Sequence, residues 1–324
     1  MKIIELGENP FENGRILGKA FSAYLEDIKD EYTEKLSDPL ILEHVHCGKD
    51  ILEKEIPFLY QELLGKAEET GIEPDAVFLM AMPEILRRRS GCTTIIMRNK
   101  DGSVSFSHNE DEIYAEFNPG NTALLKYCLK GKTIYGYANA CKTIGSCFGF
   151  RSDGLLFSCN NIMSDEVNLS YGSRYLLSAK LYFSDSFEEA VRIAENMKPA
   201  SSFHINLADI VNQKACSIER DIDDCTVTYL DDVLVHSNHF LHKEGKNDAD
   251  TLFRYEKSCE LLKETPDPYT VLSYTCEEYD HSVRLIDPQN LGKGITVANM
   301  TYRPDDKTLT ITDVIGDDIQ TFSL

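Results

Sequence analysis

An α+β fold, with antiparallel sheets and helices layered outside them, is what this sequence predicts, and three observations lead there. Apolar residues recur at three and four through roughly the first ninety positions, the period of a helix. After Cys92 the period falls to two, with turn dipeptides between short runs. Helical and strand-like runs then cluster instead of alternating strictly, which argues against a parallel βαβ sheet.

In FENGRILGKAFSAYLEDI the residues Leu17, Phe21, Tyr24, Leu25 and Ile28 share one helical face. A second periodic run, Ile51 to Leu64, is interrupted at Pro57 and stops near Gly71, and Pro74 opens a third in the first-turn position where a missing N–H does no harm. From Cys92, CTTIIMR and SVSFSHNED form a hairpin about Asp101-Gly102. TIYGYANA, CFGF, SDG and LLFSCNN follow as strand candidates separated by turn residues. Helices return at SRYLLSAKLYF and at SFEEAVRIAENM, where Ser186 and Glu189 make a capping box. FHINLAD, KACSIERD and CTVTYLDDVLVHSNH are strands, DTLFRYEKSCELLKE is a helix, and GITVANMTYRP and KTLTITDVIG close the chain about Asp305-Asp306. No repeat, low-complexity tract or linker divides residues 1–324, so a single domain is expected.

The balance of 54 acidic against 33 basic residues, a net charge of -21, repels phosphate backbones and anionic lipid heads, so neither nucleic acid nor a membrane is expected as partner. MKIIELGENPFENG has no secretory pattern, and a cytoplasmic location is expected. The ten cysteines include no C-x-x-C pair, which leaves a disulfide framework and a zinc site without support. The tightest group, His44, His46 and Cys47, lacks a second half, so neither metal nor cofactor is expected.

Cys92 stands where the helical pattern gives way to the strand pattern. A thiol becomes a strong nucleophile once something takes its proton, commonly a histidine. There is a second route. If the Gly91-Cys92 peptide bond is broken, Cys92 gains an α-amine of pKa roughly 8, and nucleophile and base are then one residue. The thiol can cut that bond itself by attacking the preceding carbonyl, and Gly91 puts no side chain in the way. A buried structural cysteine is the alternative on these residues alone.

GCTTI, NKDG, SHNED, GFRSDGLLFSCNN, SIERD, VHSNHFL and TLFRYEKSCELL, in that order, resemble the isopenicillin-N acyltransferase family of cysteine N-terminal nucleophile hydrolases, and NPFENGRILGKAF resembles the helical pro-segment of that family. The resemblance implies a four-layer αββα sandwich made as a precursor and cut between Gly91 and Cys92. Residues 1–91 would be the helical pro-segment and residues 92–324 the catalytic fragment. It further implies acyl transfer from an amide or thioester to Cys92, and then to water or an amine.

By the same resemblance Cys92 is the nucleophile and its freed amine the base. Asp111 contacts that amine, with Asn109 as a polar neighbour, the rival reading being a solvated acidic run from Glu110 to Glu112. Asn238 in VHSNH supplies an uncharged donor to the oxyanion, where the alternative is a turn cap, and Asn160 adds a donor or shapes the pocket. Arg254, with Thr251 in place of serine, fits an S-x-x-R-like pattern that a structural ion pair would equally explain. Gly316-Asp317-Asp318 replaces the G-R-P of relatives, and an acid there repels a substrate carboxylate, which argues against penicillin-type substrates.

The expected function is self-processing hydrolysis or acyl transfer on a small N-acyl compound. The acidic run near Cys92 suggests a cationic amine half, and acyl-CoA is compatible but not favoured, since no phosphate-binding loop is evident. A homo-oligomer is compatible too. Two other readings stand beside this one. In the first, the chain is an unprocessed, catalytically silent homologue that binds a small molecule or a partner. In the second, it is an uncut cysteine peptidase that uses His236 or His239.

Overall fold

Pro57 and Pro74 do begin helices. A computed structural model describes the chain except residues 87–90, 163, 165, 246–247, 278–280, 286–293 and 315–317. Strand β1 (Ile3–Leu6) precedes helices α1 (Pro10–Ala20), α2 (Ser22–Lys35), α3 (Pro39–Glu55), α4 (Pro57–Thr70) and α5 (Pro74–Ala81). The continuous helix expected through Ile28 breaks at Phe21, which leaves helical geometry with φ -118° and ψ 14°. Asp38 caps α3, its side chain accepting from the Leu40 N–H at 2.9 Å, and Gly71 ends α4 in the left-handed conformation. An added Cβ on Gly65 would stand 1.9 Å from the Phe11 carbonyl oxygen, so α1 and α4 touch backbone to backbone.

Then come β2 (Gly91–Arg98), β3 (Val104–Ile113), β4 (Thr122–Leu129), β5 (Lys132–Asn139), β6 (Phe148–Arg151) and β7 (Leu155–Asn161). The short turns α6 (Arg174–Leu177) and α7 (Ala179–Tyr182) lead to α8 (Phe187–Asn196), where Ser186 Oγ accepts from the Glu189 N–H at 3.1 Å. After these follow β8 (Phe203–Asp209), β9 (Lys214–Arg220), β10 (Cys225–Tyr229), β11 (Val233–His236), α9 (Ala249–Glu264), α10 (Pro268–Leu272), β12 (Gly294–Arg303), β13 (Thr308–Asp313) and β14 (Asp318–Ser323).

The strands form two sheets, ordered β1-β4-β5-β6-β7-β8-β9-β10 and β11-β2-β3-β12-β13-β14. Among the described residues, every pairing between these strands is antiparallel except β1 with β4. Three apolar cores separate the layers. One joins the N-terminal helices and α8 to the eight-stranded sheet, including Leu59, Phe78, Phe157 and Ile205. A second, with Phe106, Phe148, Leu156 and Met300, lies between the sheets. The third packs Ile95 and Val235 against Val271 and Leu272 of α10. The result is an αββα sandwich.

CTVTYLDDVLVHSNH is two strands, not one. β10 ends at the edge of one sheet and β11 begins at the edge of the other, so the chain changes layers at residues 230–232. Three strands go unmarked by periodicity. β1 has only four residues, β4 (TALLKYCL) is covered on both faces along most of its length, and β14 is a short edge strand.

Candidate active site

Strand pairing alone assembles the centre of the site. Across β2 and β3, Gly91 stands opposite Asp111, Cys92 opposite Glu110, Thr93 opposite Asn109 and Thr94 opposite His108. Because side chains alternate between faces, Cys92, Thr94, His108 and Glu110 point toward the eight-stranded sheet, and Thr93, Asn109 and Asp111 point toward α9 and α10. Both faces are covered, and Cys92 is 2% exposed.

The Cys92 N–H donates to Asn238 Oδ1 at 3.0 Å. The Cys92 carbonyl accepts from Arg254 Nη1 at 2.9 Å, and Nη1 also donates to Thr93 Oγ1 at 2.6 Å. Arg254 Nη2 reaches Asn238 Oδ1 at 2.7 Å and Asp250 at 3.0 Å. Thr251 and Arg254, one turn apart on α9, therefore act on the same residue, since Thr251 Oγ1 accepts the Asn238 N–H at 2.7 Å. That accounts for the spacing of the T-x-x-R pair.

Asp111 Oδ1 accepts from Thr296 Oγ1 at 2.6 Å, beside an irregularity in β12 between Thr296 and Ala298. Its Oδ2 is buried without a hydrogen bond, 3.4 Å from Arg254 Nη1. Burial pushes the Asp111 carboxyl up to about 7, with Arg254 and Thr296 pulling the other way. Asn238 Nδ2 donates to the Asn161 carbonyl at 2.8 Å and keeps a second hydrogen. Asn160 Nδ2 donates to the His236 and Ser237 carbonyls at 3.2 and 3.1 Å, so Asn160 fixes the turn that carries Asn238.

Asn109 is not at the sulfur. Its amide donates to the Leu272 carbonyl at 2.8 Å and its oxygen accepts from Asn299 at 2.9 Å, which ties β3 to α10 and β12. The acidic run is buried, not a solvated face. Glu112 pairs with Lys142 at 2.8 Å and Glu110 Oε2 lies 3.0 Å from His108 Nε2. Burial works against the charge on Lys142, yet the carboxylates around it hold its ammonium well above the ordinary lysine value. Lys142, Glu112 and Tyr175, with Tyr32, Met80 and Pro83 of the N-terminal segment, line a cavity of about 20 Å³, room for one water.

Burial, and then the charges of Glu110, Asp111 and Glu112, push the Cys92 thiol well above its usual value. Left to itself the sulfur is protonated. His236 is hydrogen-bonded to the Ser237 carbonyl and to Glu219 at 2.8 and 3.1 Å, and its ring stacks on His204. His239 meets Thr251 at 3.3 Å, and burial beside His236 brings it down to about 4. The histidine near the sulfur is His108, which the sequence reading passed over. Its strand position in SHNED, two residues before Glu110 and so on the same face, was the signal. Arg87–Ser90, Gly316 and Asp317 lie outside the described residues, and Asp318 pairs with the amino group of Met1. No described helix is long and apolar enough to cross a membrane.

A family model described as acyl-coenzyme A:6-aminopenicillanic acid acyl-transferase matches residues 97–313, two thirds of the chain, a span that holds Asp111, Asn160, Asn238 and Arg254 and starts after Cys92. No curated protein matches. Among solved structures, a Caenorhabditis elegans ortholog of N-acylethanolamine-hydrolyzing acid amidase superposes with a TM-score of 0.49 at 18% identity, covering 72% of this chain and 100% of that one. A conjugated bile acid hydrolase variant from Clostridium perfringens gives 0.45 at 15%, over 72% and 92%. Penicillin V acylase from Agrobacterium tumefaciens gives 0.45 at 10%, over 72% and 86%. From the family match over two thirds of its length, the chain belongs to the acyl-coenzyme A:6-aminopenicillanic acid acyl-transferase family, a family of acyl-transferring enzymes.

Proposed function

We propose that the chain cuts itself between Gly91 and Cys92 and then hydrolyses a small N-acyl compound through an acyl-thioester on Cys92. The observation that carries this reading is the cage around the Cys92 nitrogen. Asn238 Oδ1 accepts its N–H at 3.0 Å, and Arg254 braces that oxygen. Asp111, opposite Gly91 in the strand pairing, keeps a buried oxygen without a hydrogen bond. Such a cage has little use around an ordinary peptide N–H, but an α-ammonium would fill it with three donors and a charge.

In the scission, the Cys92 sulfur bonds to the Gly91 carbonyl carbon, the peptide C–N bond breaks, and the nitrogen takes up a proton. Water then hydrolyses the thioester, leaving a Gly91 carboxylate and a free Cys92 thiol and amine. In turnover the amine takes the thiol proton, the thiolate attacks the acyl carbon, and the proton passes to the departing amine. The free hydrogen on Asn238 Nδ2 faces the developing oxyanion. Water releases the acyl group by the reverse sequence. Asp111 and Arg254 orient the amine, and residues 1–91 and 92–324 are the two fragments.

The charge around the site does not favour a cationic amine half as strongly as the acidic run implies, because Glu112 carries its own counter-ion, Lys142. A neutral N-acyl amide is the preferred substrate class. Denaturing gels and intact mass of purified protein test the scission. Two fragments divided before Cys92 in wild type, and one chain in Cys92→Ala, are expected. Active material whose only amino-terminal residue is methionine overturns the reading.

A further inference from the structure

Cys92, His108 and Glu110 converge in a second way, which the acyl-transfer chemistry does not use. The Cys92 sulfur, a His108 ring nitrogen and a Glu110 carboxylate oxygen all lie within 4.8 Å of one another, and all three residues are buried. Among the described residues, this is the one cluster of three His, Cys, Asp or Glu side chains with donors so arranged.

His108 is held from both ends. Its Nδ1 lies 2.8 Å from Thr94 Oγ1 and its Nε2 lies 3.0 Å from Glu110 Oε2. Thr94 Oγ1 in turn stands 3.0 Å from Asn160 Oδ1, and Asn206 Nδ2 donates to both of those oxygens at 3.0 Å, so the ring is fixed in place whichever nitrogen carries its proton. A proton between Nε2 and Glu110 serves those two groups alone, whereas a metal ion there would also take the sulfur.

We propose that Cys92 Sγ, His108 Nε2 and Glu110 bind one divalent transition-metal ion, zinc by preference, and that the bound ion takes the sulfur out of catalysis. A thiolate, an imidazole and a carboxylate form a borderline set that suits zinc better than magnesium or calcium. Zinc bonds of about 2.0–2.3 Å hold tetrahedral donors roughly 3.3–3.8 Å apart, so small side-chain rotations suffice. Thr94 serves as the outer partner that fixes the ring. On binding, the S–H bond breaks as the metal–sulfur bond forms. That proton, and the one held between His108 and Glu110, pass to solvent, so affinity rises with pH.

Cobalt(II) is the probe, because a thiolate ligand gives it a sulfur-to-metal charge-transfer band. Chelator-treated protein should take up one cobalt ion with that band, and zinc should displace it. Cys92→Ser should abolish the band. His108→Gln and Glu110→Gln should weaken binding by more than the roughly 10–100-fold that losing an outer partner costs, and Thr94→Val, which spares the ligands, by about that amount. A Cys128→Ser, Cys276→Ser double variant, lacking the two exposed thiols, should keep the site. Activity of the cut wild type should fall in zinc and return with chelator.

A wild type without the band, a band that survives in His108→Gln, or one lost in the double variant overturns the site. Activity indifferent to zinc overturns its effect on catalysis. The cobalt readout is absorption and not turnover, so a chain that binds cobalt but is never cut before Cys92 would sink the acyl-transfer reading and leave this one standing.

Discussion

Asp111 offers the sharpest test of the cage, because its protonation can be followed through stability. Burial pushes its carboxyl up to about 7, whereas an unfolded aspartate titrates near roughly 3.9. A carboxyl raised on folding opposes folding when ionised. Its penalty is full above about pH 7 and fades as the pH falls toward about 4. The perturbation is Asp111→Asn in a Cys92→Ala chain, which keeps the backbone uncut. Going from about pH 8 to about pH 5, the folded Asp111 gains its proton over about two pH units in which the unfolded one stays ionised. At about 1.4 kcal/mol per unit, the Cys92→Ala chain should gain about 3 kcal/mol relative to the double variant. Glu62 and Glu112, also pushed to about 7, are common to both chains and drop out of the difference. Urea unfolding of the two proteins at about pH 8, 6.5 and 5 measures it. Parallel stability curves would mean that Asp111 is simply the ionised partner of Arg254. The claim that its oxygen waits for a cation at the Cys92 nitrogen would then fall. In cut wild type the α-ammonium supplies that cation, and the pH slope should shrink.

Arg254→Met removes the buried group that donates to the Cys92 carbonyl, Thr93, Asn238 and Asp250, so a loss of about 3–5 kcal/mol and an uncut chain are expected by denaturant titration and gel. Gly91→Ala puts a methyl 3.2 Å from Arg254 Nη2 and 3.5 Å from Asn238 Oδ1. The chain should fold but cut several-fold more slowly than wild type in a timed gel series, and an unchanged rate would show that closeness at Gly91 is irrelevant. Residues 1–91 should stay bound after scission, since β1 pairs with β4, Lys66 donates to the Ala140 carbonyl at 3.0 Å and Tyr127 to Glu62 at 2.9 Å. Size-exclusion chromatography without denaturant should elute both fragments together, and separation would refute the shared core.

How much of this could be read in the sequence follows from which forces act locally. Caps and turns are local, so Pro57, Pro74, Ser186 and Asp101-Gly102 marked their elements correctly. The α+β class came from counting runs. Strands covered on both faces lose the alternation that reveals them, which is why β4 went unseen and why β10 and β11 read as one. The carry-over of motifs pointed to Cys92, Asp111, Asn238 and Arg254, and the fold brings those four together. It also pointed to Asn109, which shares a face with Asp111 but is taken up by the Leu272 carbonyl and Asn299, partners from distant parts of the chain that a local motif does not reveal. Strand parity is what hid His108. The flanking histidines of VHSNH drew attention by their closeness to Asn238 in sequence, although it is the pairing of β2 with β3 that sets a histidine beside Cys92.

Three carboxylates near a buried thiol are, by themselves, an arrangement that suppresses a nucleophile. A side-chain base standing beside them could correct this, but it would act in the uncut chain as well. Under the proposed scission the correction arrives only with the new amine. One positive charge at the Cys92 nitrogen would pull Asp111 down from about 7, stabilise a thiolate two bonds from its own carbon, and answer the orphaned Oδ2 in a single change. The acidity of the site is therefore consistent with an enzyme inactive until cut. It predicts that Cys92 in the still-uncut fraction of Gly91→Ala, sampled early in its cutting series, reacts with a thiol reagent far more slowly than in cut wild type. Equal labelling rates would mean that the sulfur was never held in check.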